Sequence, residues 1–332
     1  MSALPPADRL DVAHPTLERA AEWFALLRSG DASEADRARW QAWLAASEEN
    51  RHAWQYVERI SGRFMPLRQG DHGRTAADAF QTARSVMTRR RRVLLGIAAV
   101  AGSGVLGWQV WRHTPVAGMA LAWVADYQTA TGEVRDVSLS DGTHVWLGTA
   151  SAFNERYAGD LRRLDLVRGE ILIQTGSDAL RPFVLDSAHG RMRALGTRFT
   201  ARLEDDATLL AVHQGAVEIR TGSSGVTTVV QAGQQARFTA TGIGRIEAAE
   251  PAREASARGI LIAQNIPLEQ VVQELRRYHP GHLGLDPAIA GLPVFGSYPA
   301  HDVARTLAML ASVMPISVRQ PLPWWISIGP DE

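Results

Sequence analysis

The sequence has no cysteine and no lysine; all 35 of its basic residues are arginine. Without cysteine there is no disulfide, thiolate metal site, cysteine nucleophile or cysteine-ligated cluster. Without lysine there is no Schiff base and no phosphate-loop lysine. Net charge is lacking too, because 35 Asp and Glu balance the arginines. No global field therefore draws the molecule to nucleic acid or an anionic membrane. What remains, 332 residues with 45% hydrophobic and 21% charged content, is the composition of folded domains, and the length fits two or three of them.

One stretch breaks that pattern. Residues 93–111, VLLGIAAVAGSGVLGWQVW, carry no charge. As a helix their 19 residues span about 28 Å, close to the hydrocarbon core of a bilayer. Arg89, Arg90, Arg91 and Arg92 precede the run, and Trp108 and Trp111 stand at its far end, the expected membrane anchors. The positive-inside rule then places residues 1–92 in the cytoplasm and 112–332 outside. Thr88-Arg89-Arg90 also opens a twin-arginine export pattern, which gives the same topology if the segment is not cleaved. Gly102, Gly104 and Gly107 spell a dinucleotide fingerprint, but inside an apolar run with no preceding strand it has no meaning.

Residues 16–60 predict three short helices. Thr16, Ser33 and Ser47 stand at their starts, Asp36 completes a near capping box with Ser33, and Gly30 follows the first helix. Trp23, Trp40, Trp43 and Trp54 either fill the core of a very small bundle or present an aromatic anchor to a protein partner. Residues 1–88 hold 11 Arg against 12 Asp and Glu. That balance lacks the basic footprint of a DNA-binding domain and favours a protein partner.

From about residue 131 the pattern changes to short alternating strands: Val134–Leu139, His144–Leu147, Leu161–Val167, Glu170–Gln174, Phe183–Asp186, Arg198–Leu203, Thr208–His213 and Ala216–Arg220. Asp141-Gly142 marks a hairpin turn. An all-β sandwich or rolled β domain follows. Residues 258–328 alternate strands with two helical patterns, Leu268-Val271-Val272-Leu275 and Val303-Leu307-Leu310. This predicts a small α+β domain of order βαββαβ.

The chain as a whole resembles FecR-type transmembrane regulators of extracytoplasmic-function sigma factors. Glu22-Trp23, Trp40-Gln41-Ala42-Trp43-Leu44 and Asn50-Arg51-His52-Ala53-Trp54 resemble the family's sigma-binding region. Leu139-Ser140-Asp141-Gly142-Thr143, Arg168-Gly169-Glu170, Arg181-Pro182-Phe183-Val184, Ala194-Leu195-Gly196-Thr197-Arg198-Phe199 and Gln214-Gly215-Ala216-Val217 resemble its periplasmic β domain, in order. Pro267-Leu268 and Glu274-Leu275-Arg276-Arg277-Tyr278 resemble its C-terminal region, which is similar to the signalling domain of TonB-dependent receptors.

The resemblance implies a multidomain protein of the bacterial inner membrane. Its parts are an all-α cytoplasmic sigma-binding domain (1–60), a juxtamembrane linker (61–92), one transmembrane helix (93–111), an all-β periplasmic domain (112–250) and a C-terminal α+β domain that contacts the receptor (251–332). Implied partners are an extracytoplasmic-function sigma factor, at Trp23, Trp40, Trp43 and Trp54, and the signalling domain of a TonB-dependent outer-membrane receptor, at Leu268, Leu275, Arg276 and Tyr278. Periplasmic and intramembrane proteases are further implied partners. No nucleic acid, cofactor or metal is implied, and the regulated genes would serve uptake of an iron chelate or related nutrient. Rival readings are a membrane-anchored transcription factor and a periplasmic enzyme or binding protein.

Chemistry is sparse. Some relatives cut themselves at a Gly-Thr bond, and Gly196-Thr197 stands in the matching context. The Thr197 hydroxyl could attack the Gly196 carbonyl, or the pair is a turn that starts a strand. His279, His282 and His301, near Asp286 and Asp302, match no metal-ligand spacing. Ser151, His144 and Asp141 could be drawn as a triad but lack a nucleophile elbow.

Overall fold

The computed structural model of the chain describes residues 12–64, 125–178 and 180–331. Three helices open it: α1 (His14–Ser29), α2 (Glu34–Ala46) and α3 (Glu48–Phe64). Ser33 and Asp36 form a reciprocal capping box at the start of α2, and Ser47 Oγ accepts from the Asn50 N–H (3.0 Å) at the start of α3. Thr16 does not cap α1. That helix begins two residues earlier, with Ala13 at the cap and Pro15 in the first turn, where a missing N–H costs nothing. Leu17, Ala20, Ala21 and Phe24 of α1 meet Ala53, Tyr56, Val57 and Ile60 of α3 in one cluster. α2 lies against α3 and buries none of its residues fully.

The expected fold class needs one correction. Its membrane-spanning helix over 93–111, with Arg89, Arg90, Arg91, Arg92, Trp108 and Trp111, lies outside the described residues, and among those no helix is long and apolar enough to cross a membrane. The reason is visible in the longest, α3. It has 17 residues and carries Glu48, Glu49, Arg51, Glu58, Arg59 and Arg63, a charge density that belongs in water. The structure supports an all-α unit, an all-β unit and an α+β unit, with no membrane-spanning helix among the described residues.

The β unit contains β1 (Tyr127–Gln128), β2 (Arg135–Ser138), β3 (His144–Leu147), β4 (Ala152–Glu155), β5 (Arg162–Gln174), β6 (Phe183–Ser187), β7 (Gly190–Ala194), β8 (Arg198–Leu203), β9 (Thr208–Gln214), β10 (Ala216–Thr221), β11 (Thr227–Gln231), β12 (Gln234–Phe238) and β13 (Ile243–Ala248). β5 organises them. Its first half pairs with β4 and β6; its second half pairs with β3 and β8. One layer therefore runs β1-β4-β5-β6-β7-β10-β11 and the other β2-β3-β5-β8-β9-β12-β13. Between them lies one core, with Leu164, Phe183, Leu185 and Met192 from the first layer and Ile171, Ile173, Phe199 and Leu210 from the second.

The two strands expected over 161–174 are thus a single strand bent at Gly169. Gly169 has φ +78°, and a Cβ there would lie 2.3 Å from Ser151 Oγ, so only glycine fits. Ser151 then holds the bend: its Oγ accepts from the Glu170 N–H (2.9 Å) and donates to the Glu170 carbonyl (3.0 Å). The Asp141-Gly142 turn joins β2 to β3 as expected, with Gly142 at φ +80°.

After a short helix α4 (Ala252–Ser256), the α+β unit runs β14 (Ile260–Pro267), α5 (Leu268–Leu275), β15 (His282–Leu285), β16 (Pro293–Pro299), α6 (Val303–Ala311), β17 (Ile316–Leu322) and β18 (Trp325–Pro330). The order is βαββαββ, one strand more than the expected βαββαβ. The strands divide into an antiparallel pair β14-β16 and a three-stranded sheet β15-β18-β17. In β18 the alternation serves two cores. Ile326 and Ile328 face the α+β core, whereas Trp325 is fully buried among the helices α1 and α3. His14 Nε2 meets Ser327 Oγ at 3.3 Å, Glu18 pairs with Arg319 at 2.9 Å, and Phe64 stacks on Trp324 at 5.8 Å. The helical and α+β units thus touch directly.

Candidate functional site

In the helical unit, amphipathic spacing points the expected tryptophans toward the α1–α3 seam, but not all the way in. Trp23 is buried, with Arg19 over its ring at 5.1 Å. Trp40 and Trp54 meet at 4.9 Å, and Trp54 meets Phe24 at 5.7 Å. Trp40, Trp43 and Trp54 remain half-exposed. Asn50 pins the Trp43 backbone by donating from Nδ2 to its carbonyl (2.7 Å). These tryptophans form one aromatic surface of α2 and α3 that is partly in the core and partly open.

The α+β candidates fall differently. Leu268 and Leu275 are fully buried and Tyr278 nearly so; Arg276 is half-buried and donates from Nε to the Leu283 carbonyl (2.9 Å). These side chains build the core, and a partner cannot touch the three buried ones without opening it. The exposed apolar groups of this unit are Val313 after α6, Phe295 on β16, 64% exposed, Ile260 on β14, Met309 on α6 and Val318 on β17. Sequence reasoning missed Phe295. The signal was there, since Val294 and Tyr298 share the inward face of β16 and leave Phe295 on the other.

Gly196 and Thr197 lie between β7 and β8. Gly196 is in the left-handed region at φ +75°. Thr197 is 4% exposed, and its Oγ1 has no hydrogen-bond partner among the described residues. The backbone around it is fixed: the Thr197 N–H donates to Thr175 Oγ1 (3.0 Å) and the Thr197 carbonyl accepts from the Thr175 N–H (3.0 Å). Gly215, also at positive φ, comes so close that a Cβ there would lie 2.5 Å from the Gly196 carbonyl oxygen. A hydroxyl is thus buried, unpaired, beside a peptide bond in a conformation that only glycine adopts readily.

Other constellations do not assemble. Asp141 is taken by Arg162 (2.9 Å) and Thr143 (2.8 Å); burial opposes its charge, but the Thr143 and Arg162 hydrogen bonds outweigh it and lower its pKa. Ser151 is engaged by the Gly169 bend, and His144 Nδ1 faces Ser138 Oγ at 3.2 Å, so no triad forms. His301 contacts the Gly259 carbonyl while His282 faces Tyr56. Among the described residues no group of three His, Asp or Glu converges as for a metal. An open cleft of about 490 Å³ is lined by Asp126, Tyr127, Glu155 and Tyr157; two carboxylates and two phenols there are already paired in part, Tyr127 with Glu155 at 3.1 Å.

Residues 125–218, from just before β1 into β10, match the family model "FecR protein". The β unit carries a FecR domain. Residues 18–60, the three helices, match a domain of unknown function, DUF4880. No curated protein matches the chain. Two crystal structures of a "putative anti-sigma factor" from Parabacteroides distasonis align at 20% identity. They cover 62% of this chain and 99% and 98% of theirs, with TM-scores of 0.48 and 0.47. The FecR domain contains the Gly169 bend, the Asp141-Gly142 turn and the Gly196-Thr197 pair, all within its matched span.

Proposed function

We propose that this chain regulates a sigma factor of the extracytoplasmic-function class. The aromatic surface of α2 and α3 holds the sigma factor, and the α+β unit receives the signal from the signalling domain of a TonB-dependent receptor, so that genes for nutrient uptake respond. The observation that carries this reading is the FecR domain at residues 125–218 downstream, in chain order, of the tryptophan-rich helices at 18–60. The half-exposed Trp40, Trp43 and Trp54 are the kind of rigid aromatic groups that dominate protein interfaces. The near-neutral charge of the helices speaks against DNA. The test is affinity capture with the tagged full chain from its native bacterium. One sigma factor should co-purify, and Trp40→Ala with Trp43→Ala should abolish its recovery. Equal recovery by the variant, or a salt-sensitive DNA shift in its place, would sink the reading.

A second reading concerns Gly196-Thr197, and the unpaired, buried Thr197 Oγ1 favours it. Thr197 Oγ1 attacks the Gly196 carbonyl carbon; the C–O bond forms, the C–N bond breaks and the hydroxyl proton passes to the released amine. Water then hydrolyses the ester, leaving a Gly196 carboxylate and free Thr197 amino and hydroxyl groups. Thr197→Ala should remain one full-length species and Thr197→Ser should be cut, as read by intact mass. Wild type that stays uncut indefinitely would end the idea.

A further inference from the structure

The β and α+β units meet across the face of β5 and β3 turned away from the sandwich core, and that face carries charge. Glu170, 1% exposed, accepts from Arg277 at 2.7 Å, and Arg277 is itself 19% exposed. Arg277 also pairs with Glu274, whose carboxylate accepts from Ser256 Oγ (3.0 Å). Burial works against the charge on Arg277, but Glu170 and Glu274 outweigh it and hold the guanidinium well above its usual pKa. The backbone joins in: Thr149 Oγ1 donates to the Arg277 carbonyl (3.1 Å). A second contact sits nearby. The Trp146 ring of β3 carries two guanidinium groups, Arg198 of β8 at 5.1 Å and Arg258, just beyond α4, at 4.9 Å. Glu254 of α4 makes that crowding tolerable, since it pairs with Arg198 at 2.6 Å and with Arg258 at 3.8 Å.

Arg198 is the residue that follows Thr197. We propose that the Glu170–Arg277 pair and the Arg198–Trp146–Arg258–Glu254 cluster form a clamp that makes the β and α+β units one mechanical body. Through Arg198, a load applied to the α+β unit reaches the Gly196-Thr197 turn. Two features separate this clamp from ordinary surface pairing. A buried carboxylate with one guanidinium as its ion-pair partner fixes how the two units seat, because any slip that parts the pair while the seam stays closed leaves a charge without water. The cation–aromatic contacts add to it in a partly desolvated seam. The clamp goes beyond the regulator reading and stands whether or not the Gly196-Thr197 bond is ever cut.

The test is hydrogen exchange on the full chain, with Thr197→Ala as the background so that no cutting interferes. In the parent, amides of β8 and of β14 should open together in mild denaturant. Glu254→Gln with Arg258→Gln should speed exchange at residues 197–200 by about tenfold, while β12 and β13, on the far edge of the layer, keep their parent rates. Arg277→Met should let β14 and α5 open without β5. Residues 197–200 unchanged in a folded Glu254→Gln/Arg258→Gln chain, or β8 and β14 opening separately in the parent, would overturn the proposal. Because Glu254 and Arg258 are both partly exposed, their replacement keeps the test decisive even if Arg277→Met does not fold.

Discussion

His282 is the residue through which acid acts most on this fold, with His14, His189, His213 and His279 also held below the usual imidazole pKa by burial. It stacks on Trp325 at 3.8 Å and its Nδ1 faces the Tyr56 hydroxyl at 3.3 Å. Burial, joined by Arg276, His14 and His279, pushes its pKa down to about 3 from 6.5. The unfolded chain therefore takes up a proton that the folded chain refuses between these values. Stability is complete above about pH 6.5 and falls as pH drops toward 3. The loss at pH 5 should be about 2 kcal/mol from this residue. Thermal melting from pH 8 to pH 4.5 reads it, and His282→Phe, which keeps a ring against Trp325, should make the loss smaller; an unchanged profile would refute the assignment. The sequence gives this histidine no metal-ligand spacing, and nothing in its neighbours announces that α1 and α3 will cover it. Leu268, Leu275 and Tyr278 carry the converse lesson. The helical spacing of Leu268 and Leu275 correctly gave an apolar face, with Tyr278 buried just beyond the helix, but spacing marks a core and an interface alike, and only burial separates the two.

At the scale of elements, the bend in β5 is where sequence and structure part most instructively. The strand pattern before and after Gly169 is readable by alternation, and the observed strands over 144–147, 198–203 and 208–214 fall where that alternation puts them. Continuity across Gly169 is not readable, because a glycine between strands signals a stop as readily as a kink. β1, β4, β7 and β11 to β13 are not among the strands read from the pattern, β7 and β11 to β13 for a related reason. Their sequences, such as Gly190–Ala194 and Ile243–Ala248, place arginine, glycine or glutamate on the solvent face and dilute the pattern. The bend itself makes a sharp prediction. Gly169→Ala forces a Cβ against Ser151 in a left-handed conformation and should cost about 2 kcal/mol or more. Ser151→Gly in the same chain should recover part of that loss; denaturant melts of the two variants compare them.

For the molecule as a whole, the three units were legible in the sequence, and their contacts were not. Chain order puts 195 residues between the end of α3 and the start of β14, yet Trp325 completes the helical core. A chain lacking residues 1–64 should therefore expose Trp325 and Trp324 and bind an apolar fluorescent dye that the full chain excludes. No added dye binding would mean that the helices and the sheet do not share this contact in solution.

The placing of Gly196-Thr197 between β7 and β8 has a consequence for any break at that bond. Upstream, β5 and β7 are bonded laterally to β8 and β10 downstream, from Gly169 opposite Leu203 to Gln174 opposite Arg198 and from Val217 opposite Ala194 to Thr221 opposite Gly190. A chain parted there is a split protein whose fragments already complement each other. It keeps its size in solution and differs from the intact molecule only in how it answers a pull: drawn along the strands, every ladder resists at once; drawn across them, the bonds yield one after another.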